Sequence, residues 1–233
     1  MGKISHRCAA LCMAALFLTA SGCVDAGKPE EGTDAPTESS EPDYSVEVVS
    51  GLARRDYLEP LEEFSWERQF PAEKVMLHFS SAVVLAPEDP YNMATIRQIF
   101  IDGGISVHYI IDRDGAISCW IPENRVAWHA GAGTYANDPR FTDQMNQYVI
   151  GIEIAAMGTQ DEMAQYLTAA EYSALDPELI GFTDAQYESL AALVRDICTR
   201  NQIPMDREHI IGHSEYSESK VDPGALFDWS RIL

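Results

Sequence analysis

The sequence is short of positive charge. Its 233 residues carry 16 Lys and Arg against 37 Asp and Glu, a formal net charge of −21, with a pI near 4.4. Binding to nucleic acid depends on clustered cations that displace counterions from phosphate, so this balance argues against a nucleic-acid partner. Long hydrophobic runs are also lacking. The one apolar run, residues 8–20, falls short of the ~20 residues a membrane span needs. There is no internal repeat. Cysteine is scarce: Cys8, Cys12 and Cys23 lie in the first 23 residues, which leaves Cys119 and Cys198. Two exported thiols could pair, but spacing alone does not decide it, and two buried free thiols is the simpler reading. No Ser or Cys stands beside a dedicated base, so nothing points to a covalent nucleophile.

What is present begins with an export signature. Lys3 and Arg7 form a basic start, the apolar run follows, and Ala20-Ser-Gly-Cys23 ends it, the order of a secretory signal. The small residues before Cys23 resemble the lipobox of a bacterial lipoprotein, although the Leu usual three positions before the cysteine is Ala20 here. Residues 1–23 are therefore expected to be a signal peptide, with Cys23 lipidated as a membrane anchor, placing the protein outside the cytoplasm. Residues 24–45 are acidic and nearly free of apolar side chains. They read as a solvated, disordered linker, which as a coil would reach about 25 Å.

The remainder, 46–233, is rich enough in apolar residues for a packed core, the whole chain being 46% hydrophobic, and it alternates element types. Strands are expected at 75–78, 106–112, 116–121, 148–155 and 209–212, the second and third joined by the Arg113-Asp-Gly115 hairpin signal. Helices are expected at 92–101 and, more clearly, at 183–201. There Thr183 and Gln186 form a capping box and Tyr187, Leu190, Leu193, Val194 and Ile197 an apolar stripe. Residues 156–182 read as an insertion with a short helix at 161–167. Together these give an α/β fold with a central mixed sheet flanked by helices.

The chemistry concentrates at 210–224, IIGHSEYSESKVDPG, where His213, Lys220 and Asp222 follow an apolar strand in one short loop. Ionisable groups crowded into such a place are costly unless a metal or substrate compensates them. A distant third ligand is required. Alone, His78 at the end of a strand reads equally well as a core histidine, and Asp222 before Pro223-Gly224 as a turn residue.

Five blocks change that balance: VMLHFSS at 75–81, VHYIIDRDG at 107–115, RVAWHAG at 125–131, IGIEI at 150–154, and His213 with KVDPG at 220–224. In this order the chain resembles the type 2 N-acetylmuramoyl-L-alanine amidases, relatives of the peptidoglycan-recognition proteins. The resemblance implies a single domain of the type 2 amidase fold that binds Zn2+ through His78, His213 and Asp222, three ligands leaving a fourth position for water. Some relatives carry Cys in the place of Asp222. It implies Glu153 as the base that deprotonates the water and Lys220 as the oxyanion partner. Branches lacking that acid use a Tyr where this chain has Val107. It also implies a substrate-binding or supporting role for His108, Trp128 and His129. A structural role is equally open for His108, and Trp128 could serve only in packing.

The reaction the resemblance implies is hydrolysis of the amide between N-acetylmuramic acid and L-Ala in peptidoglycan or muropeptides. Two alternatives stay open: a module that binds peptidoglycan without cutting it, and a zinc amidase acting on another exported amide. Stem-peptide and sugar preference and oligomeric state are not legible.

Overall fold

The computed structural model describes residues 44–233. The expected signal peptide at 1–23, with Cys23, and residues 24–43 of the expected linker lie outside the described residues. Among the described residues the elements are β1 (Arg54–Arg55), β2 (Ser65–Glu67), β3 (Lys74–Ser80), α1 (Met93–Gly103), β4 (Tyr109–Ile111), β5 (Ile117–Cys119), β6 (Arg125–Ala127), β7 (Val149–Ala155), α2 (Ala169–Ser173), α3 (Asp184–Asn201), β8 (Ile210–Gly212) and α4 (His213–Tyr216). Six strands form one sheet in the order β1-β5-β4-β7-β3-β8, and β2 pairs with β6 apart from it. The β4–β5 hairpin is antiparallel and the other pairs in the large sheet are parallel, so the sheet is mixed, as the sequence predicts.

Side-chain alternation divides the sheet into two faces. Val75, Leu77, Tyr109, Ile111, Ile150, Ile152 and Ile154 pack with Tyr187, Leu190, Leu193, Val194 and Ile197 of α3 into one apolar cluster. These α3 residues are the stripe read from the sequence. Thr183 caps the helix as expected, accepting from Gln186 N–H while Gln186 caps back. On β3, β7 and β4 the alternate positions, Met76, His78, Gly151, Glu153 and Ile110, face the other way. There α1 contributes Ile96 and Phe100 to a second cluster with Ile110, Trp120 and Ala155. Asn92 caps α1, its side chain accepting from Thr95 N–H. Cys119 and Cys198 are buried and free, the simpler of the two readings.

Three local features differ from expectation. Residues 161–167 form separate turns, with Met163 N bonded to Thr159 O and Leu167 N to Met163 O at 3.0 and 2.9 Å, and the short helix comes later, as α2. The physical reason is Thr168. It caps α2 from an extended conformation (φ −70°, ψ 160°) in a capping box with Glu171, which stops any helix running in from the N-terminal side. His213 does not lie in an open loop but begins the single turn α4. The β2–β6 pair, which fixes the start of the 125–131 block, carries no sequence signal strong enough to anticipate it.

Leu193 is fully buried between α3 and the sheet. Leu193→Ala is expected to destabilise the domain by about 2–5 kcal/mol, whereas Thr183→Ala, which removes only a cap, should cost about 1 kcal/mol. Denaturant melts of the two variants measure the difference, and equal losses would contradict the packing described.

Candidate metal centre and cleft

Residue-by-residue pairing of β3 with β7 sets His78 directly opposite Glu153, with both side chains on the face away from α3. The neighbouring strand β8 ends at Gly212 and delivers His213 to the same place. Ser214 N–H donates to the carbonyl of Asp222 at 2.9 Å, folding the following loop back on the strand end. Three ligand atoms therefore converge. Asp222 Oδ2 lies 2.8 Å from His78 Nδ1 and 3.0 Å from His213 Nδ1, and the two Nδ1 atoms are 3.0 Å apart. His78, His213 and Asp222 are 2%, 4% and 9% exposed.

The tautomers follow from the outer hydrogen bonds. His213 Nε2 lies 2.9 Å from the carbonyl of Ala130. A carbonyl only accepts, so that nitrogen carries the proton and the Nδ1 of a neutral ring is a lone pair. It faces an Asp222 oxygen that is also an acceptor. Burial alone would raise the Asp222 carboxyl, but the adjoining His213 and His78 rings hold it well below the usual range. Burial first, then the neighbouring His213, push His78 down to about 4. Neutral imidazoles and an ionised carboxylate aiming lone pairs at one point form a donor set that fits a metal ion. Among the described residues this is the group able to hold one.

Glu153 is 7% exposed and its Oε2 has no hydrogen-bond partner among the described residues. Burial and the charge of Asp222 push it up to about 8, against the Ser80 hydroxyl and the Lys220 ammonium. Lys220 is half-buried in the ligand loop, and its charge acts on both His78 and Glu153. The structure thus brings the five residues read as ligands, base and oxyanion partner into one cluster.

His129 sits behind His78. His78 Nε2 lies 2.9 Å from His129 Nδ1. With the His78 Nδ1 lone pair given to a metal, its Nε2–H would be the donor, which would leave the proton of His129 on Nε2. That Nε2 is buried with no partner among the described residues. Gly151 makes room for the ring, since a Cβ there would lie 2.5 Å from it. Trp128 is half-buried against Trp66, ring centroids 5.5 Å apart, and its indole nitrogen is unpartnered.

His108 takes the structural one of its two open readings. It was a candidate for substrate contact, but it is fully buried and both ring nitrogens are engaged: Nδ1 accepts from Gly151 N–H at 3.0 Å and Nε2 donates to Arg125 O at 3.1 Å. It supports His129, 5.8 Å away between centroids. Sequence reasoning also missed two residues that shape this wall. Arg68, 3% exposed, donates to the carbonyls of Glu123, Gln147, Arg125 and Val149 at 2.7–3.2 Å. The Asn146 side-chain oxygen accepts from the N–H groups of His129 and Ala130 at 3.1 and 2.9 Å. Neither carries a local signal, because each acts on segments distant in sequence.

A family model described as N-acetylmuramoyl-L-alanine amidase matches residues 68–225, a span that includes every residue of the cluster. The chain belongs to this family. It is similar to the 1,6-anhydro-N-acetylmuramyl-L-alanine amidase AmpD of Citrobacter freundii, 34% identical over 129 residues, covering 55% of each chain. It is also similar to the N-acetylmuramoyl-L-alanine amidase AmiD of Escherichia coli, 30% identical over 172 residues, 70% of this chain and 53% of that one. The chain spans about half the length of the curated relatives it matches. A crystal structure of a selenomethionine derivative of AmpD superposes with a TM-score of 0.55 at 25% identity, over 79% of this chain and 94% of that one. AmiD from Escherichia coli in complex with anhydro-N-acetylmuramic acid-L-Ala-D-gamma-Glu-L-Lys shares the fold, at 22% identity and a TM-score of 0.51, over 70% of this chain and 57% of that one.

The buried His108 makes the fold acid-sensitive. Burial and then the Arg68 charge push it down to about 3, whereas an unfolded histidine titrates near ~6.5. The unfolded state therefore binds a proton that the folded state refuses. Stability from this group is complete above ~6.5 and is lost as pH falls from there toward 3, by roughly 2–4 kcal/mol. Denaturant melts at pH 7 and 4.5 should show this loss, and His108→Gln should reduce it; an unchanged acid loss in the variant would contradict the assignment.

Proposed function

We propose that the chain is a zinc-dependent N-acetylmuramoyl-L-alanine amidase, hydrolysing the amide between N-acetylmuramic acid and L-Ala in peptidoglycan or its soluble fragments. The observation that carries this reading is the convergence of His78 Nδ1, His213 Nδ1 and Asp222 Oδ2 beside a buried, unpartnered Glu153. Family membership supports it, as do the activities named for the relatives.

His78, His213 and Asp222 would hold the zinc, which when bound supplies Lewis-acid polarisation of the scissile carbonyl and acidifies the attacking water. Glu153 takes the proton from that water and returns it to the departing nitrogen. Burial and the Asp222 charge raise this carboxyl in the metal-free site, and a bound cation would draw it back toward the ionised form that accepts the proton. Lys220 places its ammonium toward the negative charge that develops on the carbonyl oxygen. His129, with its Nε2–H free, and Trp128 provide the wall on which the substrate rests. No covalent intermediate is involved. The recognition-only alternative loses ground because all three ligands and both assisting residues are in place.

The sequence before the domain supports a location outside the cytoplasmic membrane. Lys3, Arg7, the apolar run and Ala20-Ser-Gly-Cys23 fit lipidation at Cys23 and a tether between membrane and enzyme. Palmitate labelling that persists in a Cys23→Ser protein, or maturation unaffected by globomycin, would reject the anchor.

Zinc analysis and mass spectrometry of digests test the reaction. His78→Ala and Asp222→Ala should lose both zinc and stem-peptide release from muropeptides; retention of both would end the proposal. Glu153→Gln should keep zinc while kcat falls about 10²–10⁴-fold, and Lys220→Ala should keep zinc with a fall of about 10²–10³-fold. Sacculi and soluble 1,6-anhydro-muropeptides offered side by side separate the two substrate pools, and release from neither would favour another exported amide.

A further inference from the structure

Residues 156–182, the insertion with no functional reading of its own, meet the ligand loop at the side chain of Glu162. The carboxylate of Glu162 accepts two backbone hydrogen bonds, from Thr159 N–H within its own turn and from Ala225 N–H, both at 2.7 Å. Ala225 lies three residues beyond Asp222. Two glycines make room for the carboxylate. A Cβ on Gly158 would lie 2.3 Å from Glu162 Oε2, and a Cβ on Gly224 would lie 2.8 Å from Oε1. One glycine belongs to the insertion and the other to the ligand loop, so the carboxylate is seated between the two segments in space that a Cβ on either would take.

The insertion is itself fixed. Its ends close through Gly181 N–H to Met157 O at 2.9 Å, and Tyr172 O–H donates to Gly158 O at 2.9 Å. Met157 and Met163 are buried in the cluster beneath α1, with Leu167, Tyr172 and Leu179 packed against it. Arg113 donates to Gly181 O and Glu178 O at 2.6 and 2.8 Å. The ligand loop meets the sheet at Pro223, whose ring takes the space of a Cβ on Gly212 at the end of β8, 2.6 Å away. Asp222 comes after β8 and α4 have ended, and its backbone is tied locally by Ser214 N–H alone among the hydrogen bonds described.

We propose that Glu162 is a positioning residue for the metal centre, holding the 222–225 loop in place from the insertion so that Asp222 meets His78 and His213. The inference rests on the metal-site reading above. Glu162 touches neither metal nor substrate; it acts on Asp222 through the backbone of Gly224 and Ala225. Losing such an outer partner lowers metal affinity without removing a ligand.

The test measures Zn2+ affinity of the full chain by competition with a chromophoric chelator, alongside thermal unfolding of the metal-free protein. Glu162→Ala should weaken zinc binding about tenfold, and Glu162→Gln, which keeps one acceptor oxygen, should recover part of that loss. The metal-free unfolding midpoint should move by less than ~2 °C. Gly158→Ala, which displaces the carboxylate, should weaken zinc binding in the wild-type background and add nothing further in Glu162→Ala, the non-additivity expected of one shared interaction. Equal affinities for wild type and Glu162→Ala, or additive losses from the two substitutions, overturn the inference while leaving the metal site intact. A wild-type chain with no zinc affinity overturns the site reading and this inference together.

Discussion

The pairing register of β3 and β7 is the constraint on which the site depends. Seven residue pairs run from Lys74 opposite Val149 to Ser80 opposite Ala155, and the fifth sets His78 against Glu153. Strand side chains alternate, so a slip of one residue would turn a ligand or the acid into the apolar layer under α3. The register is held by that layer. Val75, Leu77, Ile150, Ile152 and Ile154 are all fully buried against α3, and exposing them would cost about 1.5–3 kcal/mol for each side chain. Hydrophobic packing on one face thus fixes polar chemistry on the other.

That polar face is unfavourable on its own terms. His78, His108, His129, Glu153 and Asp222 are removed from water together, and burial dominates the downward shifts of all three histidines and the upward shift of Glu153. The surrounding hydrogen bonds resolve part of this. Ala130 O, Arg125 O and Gly151 N–H fix the proton positions on His213 and His108. They leave the Nδ1 lone pair of His213 facing the Asp222 carboxylate 3.0 Å away, a contact that a cation between them would relieve. Two buried polar atoms of the cluster, Glu153 Oε2 and His129 Nε2, also lack partners among the described residues. Buried groups left unsatisfied in this way are the ones a substrate and its attacking water would engage.

What the sequence made legible was local or periodic. The α3 capping box joins residues three apart, the strands alternate at period two, and His213, Lys220 and Asp222 share one short loop. His78 entered only through the resemblance, because 135 residues separate it from His213. Arg68, Asn146 and Glu162 were missed for a related reason. Each bonds backbone groups of distant segments, and backbone N–H and C=O groups leave no trace in the identity of the residues that own them. The helix expected at 161–167 failed differently. Met163 and Leu167 do have helical spacing and do face the core, but two isolated turns satisfy the same spacing, and the Thr168 cap decides between them. His108 shows the limit of reading a role from a motif, since the residue stands where the family pattern puts it and yet its ring is wholly engaged inside the wall.

The site joins parts of unequal rigidity. Glu153 is paired on both sides, with His78 and Ile110, and His78 follows directly on the last β3–β8 pair, Leu77 with Gly212, so neither backbone moves without breaking the ladder. His213 follows the outermost strand, β8, which pairs on one side only. Asp222 and Lys220 lie beyond any regular element. A catalytic centre tolerates misplacement of only a fraction of an ångström, so the burden of order falls on the groups that brace this loop and on Ala130, whose carbonyl holds His213. Ala130 is itself held by Asn146 from the segment leading into β7. The loop side of the site is thereby tied back to the same central strand that carries Glu153, and order spreads outward from the β3–β7 pair to the one ligand the sheet does not hold.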